Sequence, residues 1–199
     1  MLARSIIYCS ELVMTTLVKW WLLLTRRLTI GISLDKKLHK NKRYVYVANH
    51  ASYLDVFVMW AVLNFSQRLN GAPTKVMTGP DIYFTAMRPL IWLLGAYPAK
   101  KRDHQNVHAG IEGSLHYIHS GYNICIFPEG KRSLPDEKRA FNGVSHILAN
   151  SDECEMILIR IIWQPGPWWK RRIELRASAA PENLDHHDPQ AIMEHIYNL

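Results

Sequence analysis

Cysteine is scarce in this 199-residue chain. The three present, Cys9, Cys125 and Cys154, are odd in number and far apart, so they build neither an intrachain disulfide framework nor a Cys-x-x-Cys metal knuckle. A reducing compartment is implied. A secretory signal is missing too: Arg4 precedes an apolar stretch, but Glu11 interrupts it and no small-residue cleavage site follows. There is no internal repeat and no low-complexity tract. One-sign charge is absent from most of the chain. Of the net +7, residues 1–43 carry all of it, with nine bases against two acids, whereas the remainder holds 15 of each. An electroneutral body argues against general nucleic-acid binding.

What the chain does have is apolar bulk, 48% of residues, enough for one domain with a real core. Two parts are expected, a basic apolar arm over 1–43 and a body over 44–199. From Ile6 to Leu24 the arm reads IIYCSELVMTTLVKWWLLL, with Arg26-Arg27 close behind. Glu11 and Lys19 leave uncharged runs of only seven and six residues, against the roughly 20 that a spanning helix needs. A helix lying in the interface suits the pattern better, with Trp20 and Trp21 at headgroup depth and the bases facing anionic lipid. The plainer alternative is a core-packing helix followed by a solvated basic linker. Membrane association on the cytoplasmic face is the expectation.

The body alternates strand and helix patterns. Tyr44–Ala48, Thr74–Thr78, Tyr122–Phe127, Met156–Trp163 and Arg172–Ala177 read as strands. Leu54–Phe65, Pro80 to Leu94 and Phe141–Ala149 read as helices, as does a segment opened by Asp103 that carries Val107, Ile111, Leu115 and Ile118 and ends at Gly121. Pro189–Leu199 closes the chain as a short amphipathic helix. This alternation predicts an α/β fold with a central, mainly parallel (mixed) sheet flanked by helices. In such sheets a site gathers at the carboxyl ends of the strands.

Two unusual segments fall at those ends. Asn49-His50-Ala51-Ser52-Tyr53-Leu54-Asp55 follows the first body strand. Five residues of continuous helix would set His50 and Asp55 off-face. A strand-to-helix turn, however, can fold the imidazole back onto the carboxylate, which orients one nitrogen and leaves the other as a base. Chance alone supplies about 0.4 such pairs in a chain of this composition, so the spacing carries little by itself. Phe127-Pro128-Glu129-Gly130 is rarer, about 0.0006 expected occurrences. Lys131-Arg132 follows it at once, so that turn N–H groups and the Arg132 fork suit a phosphate. A third segment, Gly95 to Arg102, leaves another apolar run with the bases Lys100, Lys101 and Arg102. No obvious Ser or Cys nucleophile accompanies the pair, which suggests that the substrate supplies the attacking hydroxyl.

Together these blocks resemble the glycerolipid (lysophospholipid) acyltransferase family, the 1-acylglycerol-3-phosphate acyltransferases among them. That family carries N-H-x-[SA]-x-x-D, a Gly-led block ending in arginine, F-P-E-G-T-R-S and a hydrophobic block. Here Asn49–Asp55, Gly95–Arg102, Phe127–Ser133 and Ile157–Ile161 stand in that order, and Arg139–Leu148 is similar to the Phe-x-x-Gly segment after the third block. The chain departs at Lys131, where threonine is usual, at Leu158, where proline is usual, and at Lys101, which takes the arginine position with Arg102 beside it.

The resemblance implies transfer of a fatty acyl group from acyl-CoA or acyl-carrier protein to the free hydroxyl of a lysophospholipid, 1-acylglycerol-3-phosphate above all. His50 would be the general base, oriented by Asp55. Glu129, Gly130, Arg132 and Lys101 or Arg102 would hold the phosphate. No cofactor or metal is implied beyond the thioester co-substrate, because a thiolate already leaves well.

Other features have plainer readings. Asp185, His186, His187 and Asp188 could chelate a metal, but neighbouring side chains face apart, so a solvated loop is expected. His104, His108 and His116 read as helix surface. Pro165 to Arg172, with Trp168 and Trp169, is either a second interfacial contact or a turn covering the core edge. Two other functional classes stay in view: a catalytically silent lipid-binding scaffold on the same fold, and a metal-dependent phosphoesterase.

Overall fold

The computed structural model describes residues 2–24, 28–32, 42–52, 54–56, 58–59, 71–86, 88–99, 108–130, 140–151, 154–166 and 172–199. Among the described residues, seven strands form one sheet: β1 (Leu28–Ile32), β2 (Arg43–Ala48), β3 (Thr74–Thr78), β4 (Ala96–Pro98), β5 (Asn123–Ile126), β6 (Cys154–Trp163) and β7 (Ile173–Ala179). Their order is β1-β7-β6-β2-β5-β3-β4. All neighbours are parallel except β6 and β7, which form an antiparallel pair. This is the mixed, mainly parallel α/β sheet that the alternation predicts.

The central strands have no polar face because helices cover both sides. Tyr44, Tyr46, Ala48, Cys125, Ile159 and Ile161 point into one core layer, which Val58, Met59 and Leu94 join. Val45, Val47, Ile124, Ile126 and Leu158 point into the other. That second layer is closed by Ile118 of α4 (Ala109–His119), Val144 and Ile147 of α5 (Gly143–Ala149), and Ile192, Met193 and Ile196 of α6 (Pro189–Asn198). The described residues also form α1 (Leu2–Leu24), α2 (Pro80–Tyr83) and α3 (Arg88–Leu93).

Several expectations shift. The helix read from Pro80 to Leu94 is two short ones. Pro89 has no N–H to continue an i→i−4 ladder and its ring would strike the carbonyl of Thr85, so it sits instead in the first turn of α3. The helix read from Asp103 begins at Ala109; Asp103, His104 and Val107 lie outside the described residues. Its end is as expected: Gly121 adopts a positive φ of 82°, and the Tyr122 N–H donates back to the Tyr117 carbonyl. Of the helix read over Leu54–Phe65, residues 55, 56, 58 and 59 are helical and the remainder beyond 59 lies outside the described residues.

Two strands escaped the sequence pattern. Ala96–Pro98 is too short to show a period, and its partner β3 supplies the pairing. Leu28–Ile32, within the stretch assigned to the arm, joins the sheet as an edge strand parallel to β7, with Leu28 opposite Ile173. Helix α1 also meets the body. Ile7 is buried, Met14 packs against the first core layer, and the Ser10 hydroxyl donates to the Leu93 carbonyl at 2.6 Å. Ile6, Val13, Leu17, Trp20 and Trp21 remain exposed along α1. No helix among the described residues is long and apolar enough to cross a membrane.

Candidate active site

β2, β3, β4, β5 and β6 run parallel, so their carboxyl ends share one edge of the sheet. β2 and β5 are immediate neighbours, which brings the turns after Ala48 and Ile126 side by side.

The first turn is built from its own residues. Where β2 stops, the Asn49 side chain replaces a backbone amide. Its Oδ1 accepts from the Ile161 N–H at 2.6 Å and its Nδ2 donates to the Ile161 carbonyl at 3.0 Å, so β6 keeps a partner while the main chain turns away. Ser52 then starts the helix in the manner of a capping box. Its hydroxyl accepts from the Leu54 N–H, and the Asp55 carboxylate three residues on reaches back to the Ser52 N–H at 2.6 Å.

The same carboxylate, 0% exposed, takes two further donors on that oxygen. The Ala51 N–H lies 2.7 Å from Oδ2 and His50 Nδ1 lies 3.0 Å away. Every partner of Asp55 among the described residues is a donor, which assigns a hydrogen to Nδ1 of His50 and, in the neutral imidazole, leaves Nε2 with the lone pair. The His50 side chain is 17% exposed, and Nε2 makes no hydrogen bond to the described residues. Its ring packs at 4.6 Å from the Phe127 ring, centroid to centroid, the first residue of the neighbouring turn. The sequence pairing of His50 with Asp55 is therefore a physical contact, made by the turn rather than by helical spacing.

The second turn is tight and inward-looking. The Gly130 N–H, read as free to face a phosphate, donates instead to the Phe127 carbonyl at 3.0 Å and closes the turn. Gly130 has a φ of 65°, and a Cβ there would lie 2.9 Å from the Phe141 ring, so only glycine fits. Glu129 is fully buried, and its Oε1 accepts from the Tyr197 hydroxyl of α6 at 2.9 Å. Burial first, and the Glu129 carboxylate second, push the Tyr197 phenol well above its ordinary range. Lys101, Arg102, Lys131 and Arg132 lie outside the described residues.

Two residues of this site carried no signal in the sequence. Trp163, the last residue of β6, donates its indole N–H to Asp55 Oδ1 at 2.6 Å. Tyr197 lies 68 residues beyond Glu129. Neither belongs to a local motif.

The remaining candidates resolve simply. Asp185 Oδ1 accepts from the His187 N–H and Asp188 Oδ1 from the Gln190 N–H, so both carboxylates shape the entry to α6. No group of three His, Cys, Asp or Glu among the described residues is placed to hold a metal ion. Trp168 and Trp169 lie outside the described residues.

A protein-family model described as Acyltransferase matches residues 30–159. No curated protein matches the chain in sequence. Among solved structures, the 1-acyl-sn-glycerophosphate (LPA) acyltransferase PlsC from Thermotoga maritima superposes with a TM-score of 0.60 at 12% identity, covering 96% of this chain and 75% of that one. At that identity the likeness is one of fold.

Proposed function

This chain belongs to the acyltransferase family and is an acyltransferase, and from that premise we propose that it moves a fatty acyl group from acyl-CoA or acyl-carrier protein onto the free hydroxyl of a lysophospholipid, 1-acylglycerol-3-phosphate foremost. The observation that carries the proposal is His50, held through Nδ1 on a buried carboxylate at the carboxyl edge of the sheet, with Nε2 making no hydrogen bond to the described residues.

Nε2 takes the hydroxyl proton of the acceptor as its oxygen attacks the thioester carbonyl. Asp55 balances the imidazolium that forms. The tetrahedral intermediate collapses with loss of the thiolate, which takes the proton back from His50. The acyl group passes directly between substrates. Cys125 is buried in mid-strand, Cys154 opens β6 at the opposite edge and Cys9 is on the exposed side of α1, so no cysteine stands beside His50 to form an acyl-enzyme.

Lys101, Arg102 and Arg132 are the proposed phosphate ligands. In support, β4 ends at that edge at Pro98, three residues before Lys101 in the sequence, and Arg132 follows Gly130 by two residues. Glu129 and Gly130 contribute by holding that turn in shape.

The acceptor and the acyl chain are amphiphiles, and α1 suits a bilayer surface. Ile6, Val13, Leu17 and Trp20 form an exposed stripe, with Trp20 at 61% exposure, while Ile7 and Met14 face the body. We place this helix in the cytoplasmic leaflet's interface, where the net positive charge of residues 1–43 favours anionic lipid.

The test is thiol release from a long-chain acyl-CoA, with and without lysophosphatidic acid, in wild type and His50→Ala. Release should need both the acceptor and His50. Acceptor-independent release, or full activity in His50→Ala, would refute the mechanism.

A further inference from the structure

We propose that Trp163 is a positioning residue for acyl transfer, its indole N–H fixing the second oxygen of Asp55 and, through it, the ring of His50. The inference rests on the reading of His50 as the base.

Asp55 Oδ2 takes its three donors from residues 50–52. All three converge on one oxygen. They fix where Oδ2 sits and leave the carboxylate plane to pivot about it. The second anchor is the Trp163 Nε1–H at 2.6 Å from Oδ1, supplied by a residue 108 positions away. With each oxygen held by its own donors, the carboxylate has one orientation. That orientation sets the line along which His50 Nδ1 donates, and hence where Nε2 points.

The fold explains why the indole arrives there. β2 and β6 are in parallel register from Arg43 opposite Cys154 to Ala48 opposite Ile159. β2 then ends, whereas β6 runs four residues further. The Asn49 side chain clamps Ile161 against the departing chain. Trp163 lies two residues beyond, on the same side of β6 as Ile159 and Ile161 and packed against the core layer that also holds Val58 and Met59. That is the side on which the helix bearing Asp55 lies.

The decisive perturbation removes only the indole N–H. β-(3-Benzothienyl)alanine, placed at position 163 by stop-codon suppression, keeps the bicyclic shape and puts sulfur in place of the donor; Trp163→Phe is the companion variant. In the acyl-CoA assay with lysophosphatidic acid, kcat should fall about tenfold, the scale of one lost hydrogen bond. KM for both substrates should stay within about twofold, since a positioning group acts on the chemical step. Unchanged kcat in the benzothienyl protein would overturn the proposal, as would a loss confined to KM.

A second readout is independent of turnover. The indole N–H resonance of Trp163, assigned by its disappearance in Trp163→Phe, should move upfield in Asp55→Asn, where the facing oxygen becomes a donor. A resonance indifferent to Asp55→Asn would overturn the proposal whatever the kinetics. If wild type transfers no acyl group at all, the acyl-transfer reading fails instead, and the resonance alone then decides whether Trp163 holds Asp55.

Discussion

Replacing Asp55 by asparagine changes one heavy atom and separates the structural work of this carboxylate from its electrostatic work. Oδ2 receives three donors and Oδ1 one. The new amide must turn its NH₂ toward one of these sets, and the Trp163 side is cheaper because it sets donor against donor once rather than three times. His50 Nδ1 then still finds an oxygen, so its tautomer survives.

Stability falls on two counts. One buried hydrogen bond is lost with its donor left unpaired, about 1–3 kcal/mol, and the three others become neutral rather than charge-assisted, which weakens each. A total of about 2–4 kcal/mol would lower Tm by roughly 5–15 °C in a chain of this size. Catalysis loses more. An imidazolium about 4 Å from a carboxylate gains about 4 kcal/mol at an effective dielectric near 20, so kcat should drop on the order of 10³-fold.

Both quantities are measurable on one preparation, by a thermal scan and by thiol release from acyl-CoA with lysophosphatidic acid at saturating substrate. A variant with the lowered Tm but kcat within about threefold of wild type would show that Asp55 shapes the turn without stabilising charge on His50, and the proposed chemistry would be wrong.

Two other outcomes follow from groups outside the His50–Asp55 pair. Tyr197→Phe removes the hydroxyl that donates to the fully buried Glu129. Tm should fall by about 3–10 °C and kcat by a few-fold, because the Glu129 turn carries the Phe127 ring that packs on His50; a wild-type thermal scan would refute the coupling of α6 to that turn. Tyr97, Cys125 and Tyr197 are all held in their acid forms, chiefly by burial, above ordinary values of 9.0 for the thiol and 10.0 for the phenols. The folded state therefore keeps protons that the unfolded chain releases, so stability is full below about pH 9 and declines as pH rises past those values. A urea midpoint constant from pH 8 to pH 11 would contradict this.

The family and the His50–Asp55 contact were legible because the blocks that carry them are local. Asn49–Asp55 is one turn whose hydrogen bonds close within seven residues, apart from the clamp of Asn49 on Ile161 and the Trp163 indole on Asp55. Phe127–Gly130 is another, and its glycine is dictated by a positive φ and the overlying Phe141 ring. The α/β class was legible because buried strands such as Tyr44–Ala48 must be apolar on both faces wherever helices cover both sides of a sheet. Short or edge elements were not. Ala96–Pro98 has too few residues for a period, and Leu28–Ile32 becomes a strand only through β7.

The sequence by itself thus determined the arm's charge, the alternation of elements, and the identity of His50 and Asp55 as partners. The tertiary structure alone decided what surrounds them. Trp163 reaches Asp55 across 108 positions and Tyr197 reaches Glu129 across 68. Spacing within a motif encodes contacts made by one turn of backbone. A side chain brought in by strand register or by a helix docking on the far face leaves no spacing to read, because its distance is set by the packed core between the elements rather than by the chain that joins them.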